Sequence, residues 1–159
     1  MHLLDGHLLG PFIFLENLTG DGYAELLTHH IIPAVTELFN PEELANIWFQ
    51  QDGCPAHNTR RVQEILRENF NDRVISNRGP ILWPARSPDL SPVDFYFWGA
   101  AKNEVYEFDP PETVQVLEAR TRDVLRSINR NTIRRACRSV KDRCQKCVQQ
   151  NGGHFQQFT

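Results

Sequence analysis

At 159 residues the chain has the length of one compact domain and too little for two comfortable ones. Its hydrophobic content of 40% and charged content of 23% are those of a globular protein, and no apolar run reaches the roughly 18 residues of a membrane span. The net charge of −3 is unevenly spread: residues 112–150 carry ten Lys/Arg against four Asp/Glu (+6), and the first 111 residues carry seven against sixteen (−9).

In chain order, MHLLDGHLLGPFIF has no basic n-region, and Asp5 and His7 interrupt its apolar residues, which argues against a signal peptide. Asp5-Gly6 between apolar runs predicts a β-hairpin, because both residues tolerate positive φ. Thr19-Gly20 then introduces a helix with Tyr23, Leu26, Leu27, Ile31, Ala34, Val35 and Leu38 at helical spacing, its last turns kinked by Pro33. NIWFQQ (46–51) reads as a short buried strand ending at Asp52, and Gly53 and Pro55 break it. Residues 57–70 follow as a helix with Val62, Ile65, Leu66 and Phe70 on one face, then a strand at 73–76.

Four prolines in 79–92 predict an extended loop, since each removes a donor and pushes its predecessor out of the α region. A helix starts near Val93 or Asp94, with Phe97, Trp98 and Ala101 facing inward. After Pro110-Pro111 come two amphipathic helices, one using Val114, Leu117, Val124, Leu125 and Ile128, the other Ile133, Cys137, Val140, Cys144 and Val148, with a break at 129–131. Strands mixed with helices in this order imply a layered α/β domain.

Two acidic residues stand where chemistry could use them. Asp52 lies at the end of a buried strand, and Asp94 lies near a helix N-terminus, where the helix dipole favours an ionised side chain. Hard oxygen ligands held on separate rigid elements suit Mg²⁺. Taken singly, each has a plainer reading, Asp52 as a turn former and Asp94 as an N-cap.

The segments FQQDGCPAHNTRRVQEIL (49–66) and GPILWPARSPDLSPVDFYFWG (79–99) resemble the core of mariner-superfamily (DDE/D) transposases. In that family the second catalytic acid lies in a QDxxPxH stretch and the third shortly after a SPDL element. The matching positions are Asp52 and Asp94, with 41 residues between them, which places the resemblance in a long-spacing branch. DGHLLGPFIF, LTGDGYAELL and CVQQNGGHFQQF (147–158) extend the similarity over nearly the whole chain. The resemblance implies a ribonuclease-H-like mixed sheet flanked by helices, a partial catalytic core over residues 1–108 and a helical C-terminal extension of the same domain over 109–159. It implies metal-dependent DNA cleavage and strand transfer, with Mg²⁺ or Mn²⁺ held by Asp52 and Asp94. DNA (transposon ends and target) is the implied partner, with a homodimer as a further possibility; neither a membrane nor a small-molecule substrate is expected, and the location is nuclear.

In the family, the first catalytic Asp belongs to a strand preceding the hairpin. The sequence therefore reads as lacking that first strand and its acid, and catalysis by these residues alone is not expected. Asp5 is the nearby candidate, but it occupies the hairpin turn. The alternative function is a domesticated nucleic-acid-binding or protein-interaction module without catalysis.

Weaker signals accompany these. His57 could contact DNA or a metal, or stabilise the start of the helix after it. Arg134, Arg135, Arg138, Lys141 and Arg143 could follow a DNA backbone, or form a solvated face. Cys137, Cys144, Cys147 and His154 invite a zinc reading, but the cysteines fall on or beside the apolar stripe of one helix, as core residues do. With Cys54 they read as reduced thiols in an intracellular protein.

Overall fold

The computed structural model describes residues 1–4, 6–107 and 109–152, and the chain divides into two compact units, Phe14–Arg86 and Met1–Ile13 with Ser87–Thr159. Asp5 and His154, with the second half of the C-terminal motif (153–158), lie outside the described residues.

In the unit Phe14–Arg86, Thr19 caps the first helix, its Oγ1 accepting from Gly22 N at 3.1 Å. Helix α1 (Gly20–Leu26) runs through a wider π-type turn, Leu27–Ile31, into α2 (Ile32–Leu38). The irregularity thus precedes Pro33 instead of following it. Proline has no N–H to give the carbonyl four residues back, and its ring crowds that oxygen. The turn before it opens to longer pairing, Ile32 N donating to Leu27 O. Tyr23, Leu26, Leu27, Ile31 and Val35 are buried as their spacing predicts, but Leu38 is exposed, next to the helix end. A short helix unannounced by the apolar pattern, α3 (Pro41–Leu44), is held by a capping box in which Asn40 and Glu43 exchange two 2.9 Å hydrogen bonds.

Strand β3 (Phe49–Gln50) is shorter than the predicted 46–51, and Trp48 is exposed. Its partner β4 (Val74–Ser76) is only three residues long, so the parallel register Phe49↔Val74, Gln50↔Ile75 has little room to extend. One further bond, Gln51 N to Ile75 O at 3.0 Å, carries the ladder to the residue before Asp52. Helix α4 (Arg60–Phe70) makes the crossover between these strands, burying Val62, Leu66 and Phe70. A third strand, β5 (Ile81–Leu82), lies parallel to β4 where an extended loop is predicted. The chain returns within residues 77–80, and Gly79 fits there because a Cβ would stand 2.7 Å from Val74 O.

The other unit opens with the predicted hairpin, β1 (His2–Leu4) antiparallel to β2 (His7–Leu9), with Leu3 opposite Leu8 and Gly6 at φ +86°. A 3₁₀ turn at Pro88–Leu90 leads to a π-type turn, Val93–Phe97, continuous with α5 (Trp98–Val105). Then come α6 (Val114–Ser127), capped by Thr113, and α7 (Arg130–Gln149), capped by Asn129. Phe97, Ala101, Leu125, Ile133 and Ala136 form the core of this unit, with Leu3 and Leu8 of the hairpin packed against it. Three positions predicted as inward are instead exposed: Trp98, Val114 and Val148. Trp98 follows the fully buried Phe97, and a 3.6-residue turn carries it about 100° off the core face. Val114 and Val148 stand at helix ends, where the stripe has run past its neighbours. The architecture is α/β, with an antiparallel pair in one unit and a parallel three-stranded sheet in the other.

Candidate functional site

Asp52 follows directly on the last laddered residue of β3, at the carboxyl end of the parallel sheet, where side chains are fixed by the sheet and face an open loop. Its Oδ1 accepts the Cys54 backbone N–H at 3.1 Å, an Asx-type turn. The same oxygen lies 2.7 Å from Nδ1 of His57. Pro55 starts a 3₁₀ turn, Pro55–Asn58, which curls the chain back so that residue 57 meets residue 52. The Asp52 side chain remains 54% exposed while that of His57 is only 19% exposed, so the carboxylate faces solvent with a half-buried imidazole behind it. Among the described residues both contacts fall on Oδ1, which leaves Oδ2 for another ligand.

The imidazole is itself held. Its ring packs on Tyr23 with centroids 4.1 Å apart, and the His57 carbonyl accepts from Gln51 Nε2 at 3.0 Å and Gln63 Nε2 at 2.9 Å. Buried Gln51 in turn accepts from the Tyr23 hydroxyl at 3.1 Å. Burial, reinforced by the negative charge of Asp52, pushes the Tyr23 phenol well above its usual range. It therefore stays a neutral donor. Asn58 Nδ2 bridges the carbonyls of Gly53 and Cys54 at 3.1 Å each, closing the loop. Of this chain of contacts, the sequence displays only the Asp-x-x-Pro-x-His spacing; Tyr23, Gln51 and Gln63 come from distant or unremarkable positions.

Asp94, on the other unit, is exposed in the first turn of the helical segment that begins at Val93. Its backbone N–H bonds Ser91 O at 2.9 Å, so its place at a helix start agrees with the sequence reading.

The basic run of α7 does not share one face. Arg135 and Arg138 are exposed, and Arg134 is half-buried, its Nε 3.0 Å from where a Cβ on Gly6 would stand. Arg143 sits with its guanidinium 3.9 Å over the Phe95 ring, a cation–π contact within the unit. Cys137, Cys144 and Cys147 are all partly buried, and burial pushes the Cys144 thiol up, away from the thiolate form that a metal needs.

No protein-family model matches the chain. Over 105 residues it is 32% identical to the Tc3 transposase of Caenorhabditis elegans, a match covering 65% of this chain and 30% of that protein. Over 104 residues it is 27% identical to the Tcb2 transposase of Caenorhabditis briggsae, covering 65% of this chain and 35% of the relative. The matches thus span about a third of the length of these curated relatives. Among solved structures, the catalytic domain of Mos1 mariner transposase aligns with a TM-score of 0.71 at 21% identity, covering 89% of this chain and 66% of that one. The Mos1 mariner paired-end complex with Mn aligns with a TM-score of 0.73 at 21% identity, covering 89% of this chain and 39% of that one. The chain is homologous to the Tc3 and Tcb2 transposases and carries the ribonuclease-H-like fold of the mariner transposase catalytic domain.

Proposed function

We propose that residues 1–159 form the part of a transposase catalytic domain that supplies two acidic ligands, Asp52 and Asp94, to a divalent-metal site for DNA cleavage and strand transfer. The observation that carries this reading is the Asp52 carboxylate, positioned through one oxygen by a backbone N–H and a half-buried imidazole while its other oxygen stays open among the described residues. Hard cations such as Mg²⁺ and Mn²⁺ prefer oxygen donors and take only one or two carboxylates, with water and substrate phosphate oxygens completing the shell. The donor set fits. It also agrees with the homologous Mos1 structures, which include complexes with Mg and with Mn.

When bound, a metal pair supplies an activated water or 3′-hydroxyl and stabilises the leaving oxygen of an in-line displacement. The chain's own residues set the stage for that step. Asp52 holds charge at the sheet edge, His57 fixes the carboxylate's orientation, and Tyr23 and Gln51 hold His57 in place. Asp94 contributes a second carboxylate from the start of a helix. We expect residues 1–159 alone to bind metal weakly and to leave DNA uncut, because the family's first acid has no match here except Asp5. DNA is the proposed substrate, since Mos1 relatives are seen with a transposon end and in a strand-transfer complex, and a homodimer is the proposed assembly. A nuclear location is the proposed one, since action on chromosomal DNA would require it, and a fluorescent fusion tests it.

Calorimetric titration with Mn²⁺ and Mg²⁺ tests the metal site. Wild type is expected to bind in the millimolar range or tighter, with Asp52→Ala strongly weakened; equal heats from both proteins would end the proposal.

A further inference from the structure

The unit Phe14–Arg86 is acidic, with six Arg against ten Asp/Glu, yet three of its arginines gather at one concavity. A cavity of about 280 Å³ lies between one face of α4 and the turn after β4, with Arg60, Gln63, Arg67 and Asn71 on the helix side and Arg78 across from them. Buried Leu66 and Val74 form part of its wall, so charge there meets apolar groups as well as water. Glu64 is the one carboxylate lining it, and it is engaged with Arg60 at 3.0 Å. Arg67 and Arg78 make no ion pair among the described residues. Their neighbour Arg61 differs: it points away to Asp21 and Glu25, at 3.4 Å and 2.5 Å, and is absent from the cavity wall.

From this arrangement we infer that the groove between α4 and residues 78–80 binds the phosphate backbone of a DNA strand on its way to Asp52. Guanidinium groups match phosphate oxygens with paired N–H donors, and uncommitted ones beside an apolar wall are the form that gains most from an anion. Chain connectivity ties the groove to the site. Arg60 follows His57 by three residues, and Arg78 follows Asn77, whose Nδ2 would stand 2.4 Å from a Cβ on Gly53, next to Asp52. A strand laid along Arg67, Arg60 and Arg78 therefore arrives beside the carboxylate. The inference rests on the transposase reading for its choice of DNA. It names residues outside the basic run of α7.

The test is fluorescence anisotropy of a labelled duplex of arbitrary sequence with the whole chain, from roughly 50 to 200 mM salt. Each neutralised phosphate adds about 0.9 to the slope of log affinity against log salt, so R67Q/R78Q is expected to bind more weakly with the slope shallower by roughly 1.8. R67K/R78K should largely keep the slope, and R61Q should match wild type, since its charge is already paired. The inference is overturned if R67Q/R78Q keeps the wild-type slope, or if R61Q loses as much. A wild-type chain without salt-dependent DNA binding overturns it as well, while calorimetry with Mn²⁺ still decides the metal site separately.

Discussion

Nδ1 of His57 stands 2.7 Å from Oδ1 of Asp52, and the same carboxylate oxygen takes the Cys54 N–H at 3.1 Å. Two donors on one oxygen fix the plane of the carboxylate and leave the second oxygen for the proposed cation. Partners of this kind typically influence metal affinity by about 10–100-fold. His57→Ala is therefore expected to weaken Mn²⁺ binding within that range, and His57→Gln, which keeps an amide donor at similar reach, to weaken it less. Calorimetry on variants with an unchanged circular dichroism spectrum makes the comparison. Unaltered Mn²⁺ affinity in His57→Ala would reduce the histidine to a structural neighbour.

Behind His57 the Tyr23 hydroxyl donates to Gln51 Oε1 at 3.1 Å, both residues being buried. Tyr23→Phe strands that amide oxygen, so a loss of about 1–3 kcal/mol is expected in urea unfolding. The pH dependence follows from the raised phenol pKa. The folded state holds the proton more tightly than the unfolded chain does, so the stabilisation is complete below the ordinary tyrosine pKa of about 10 and is lost as pH rises above it. Wild type should lose stability in alkali more steeply than Tyr23→Phe; parallel curves would show that the hydroxyl is not buried in this way.

Much of this framework is legible in the residues themselves, for identifiable reasons. Helices α4, α6 and α7 combine a 3.6-residue apolar period with a side-chain cap at Thr59, Thr113 or Asn129, two local signals that agree. The hairpin pairs as its apolar runs imply. What escaped depends on partners distant in sequence. Ile81–Leu82 becomes a strand only because β4 offers a free edge and Gly79 lets the chain pass close to Val74 O. Trp98 and Val148 satisfy a helical pattern yet find no core opposite them. At the site, the QDxxPxH spacing pointed to Asp52, but the direct pairing with His57 required the 3₁₀ turn after Pro55, and nothing local marks Tyr23 as the ring beneath the imidazole.

Two glycines should respond oppositely to alanine. At Gly79 a Cβ would lie 2.7 Å from Val74 O and 3.2 Å from Ser76 N, both backbone atoms that cannot swing aside. Gly79→Ala is expected to cost about 1–3 kcal/mol and to loosen the β4–β5 pairing, visible as faster amide exchange at Trp83, whose N–H bonds Ser76 O at 3.2 Å. Gly99 lies within α5 with nothing inside 4 Å of its would-be Cβ. Gly99→Ala should therefore stabilise by about 0.5–1 kcal/mol through lower unfolded-state entropy. Urea melts showing the same sign for both would refute the close approach at Gly79.

Arg143 offers a test of which α7 cations are available to DNA. Its guanidinium lies 3.9 Å over the Phe95 ring, and at 3.6 residues per turn it projects roughly opposite Arg134 and well away from Arg138. A partly desolvated cation–π pair contributes about 0.5–2 kcal/mol, so a double-mutant cycle with Arg143→Met and Phe95→Leu should return a coupling energy of that size. The same Arg143→Met protein should keep the wild-type salt slope of DNA binding, because a side chain folded onto the core neutralises no phosphate. Arg138→Gln, by contrast, removes an exposed charge and should flatten the slope by about 0.9 if α7 follows the backbone. A slope altered by Arg143→Met, or zero coupling with Phe95, would show that this arginine faces the nucleic acid and not the ring.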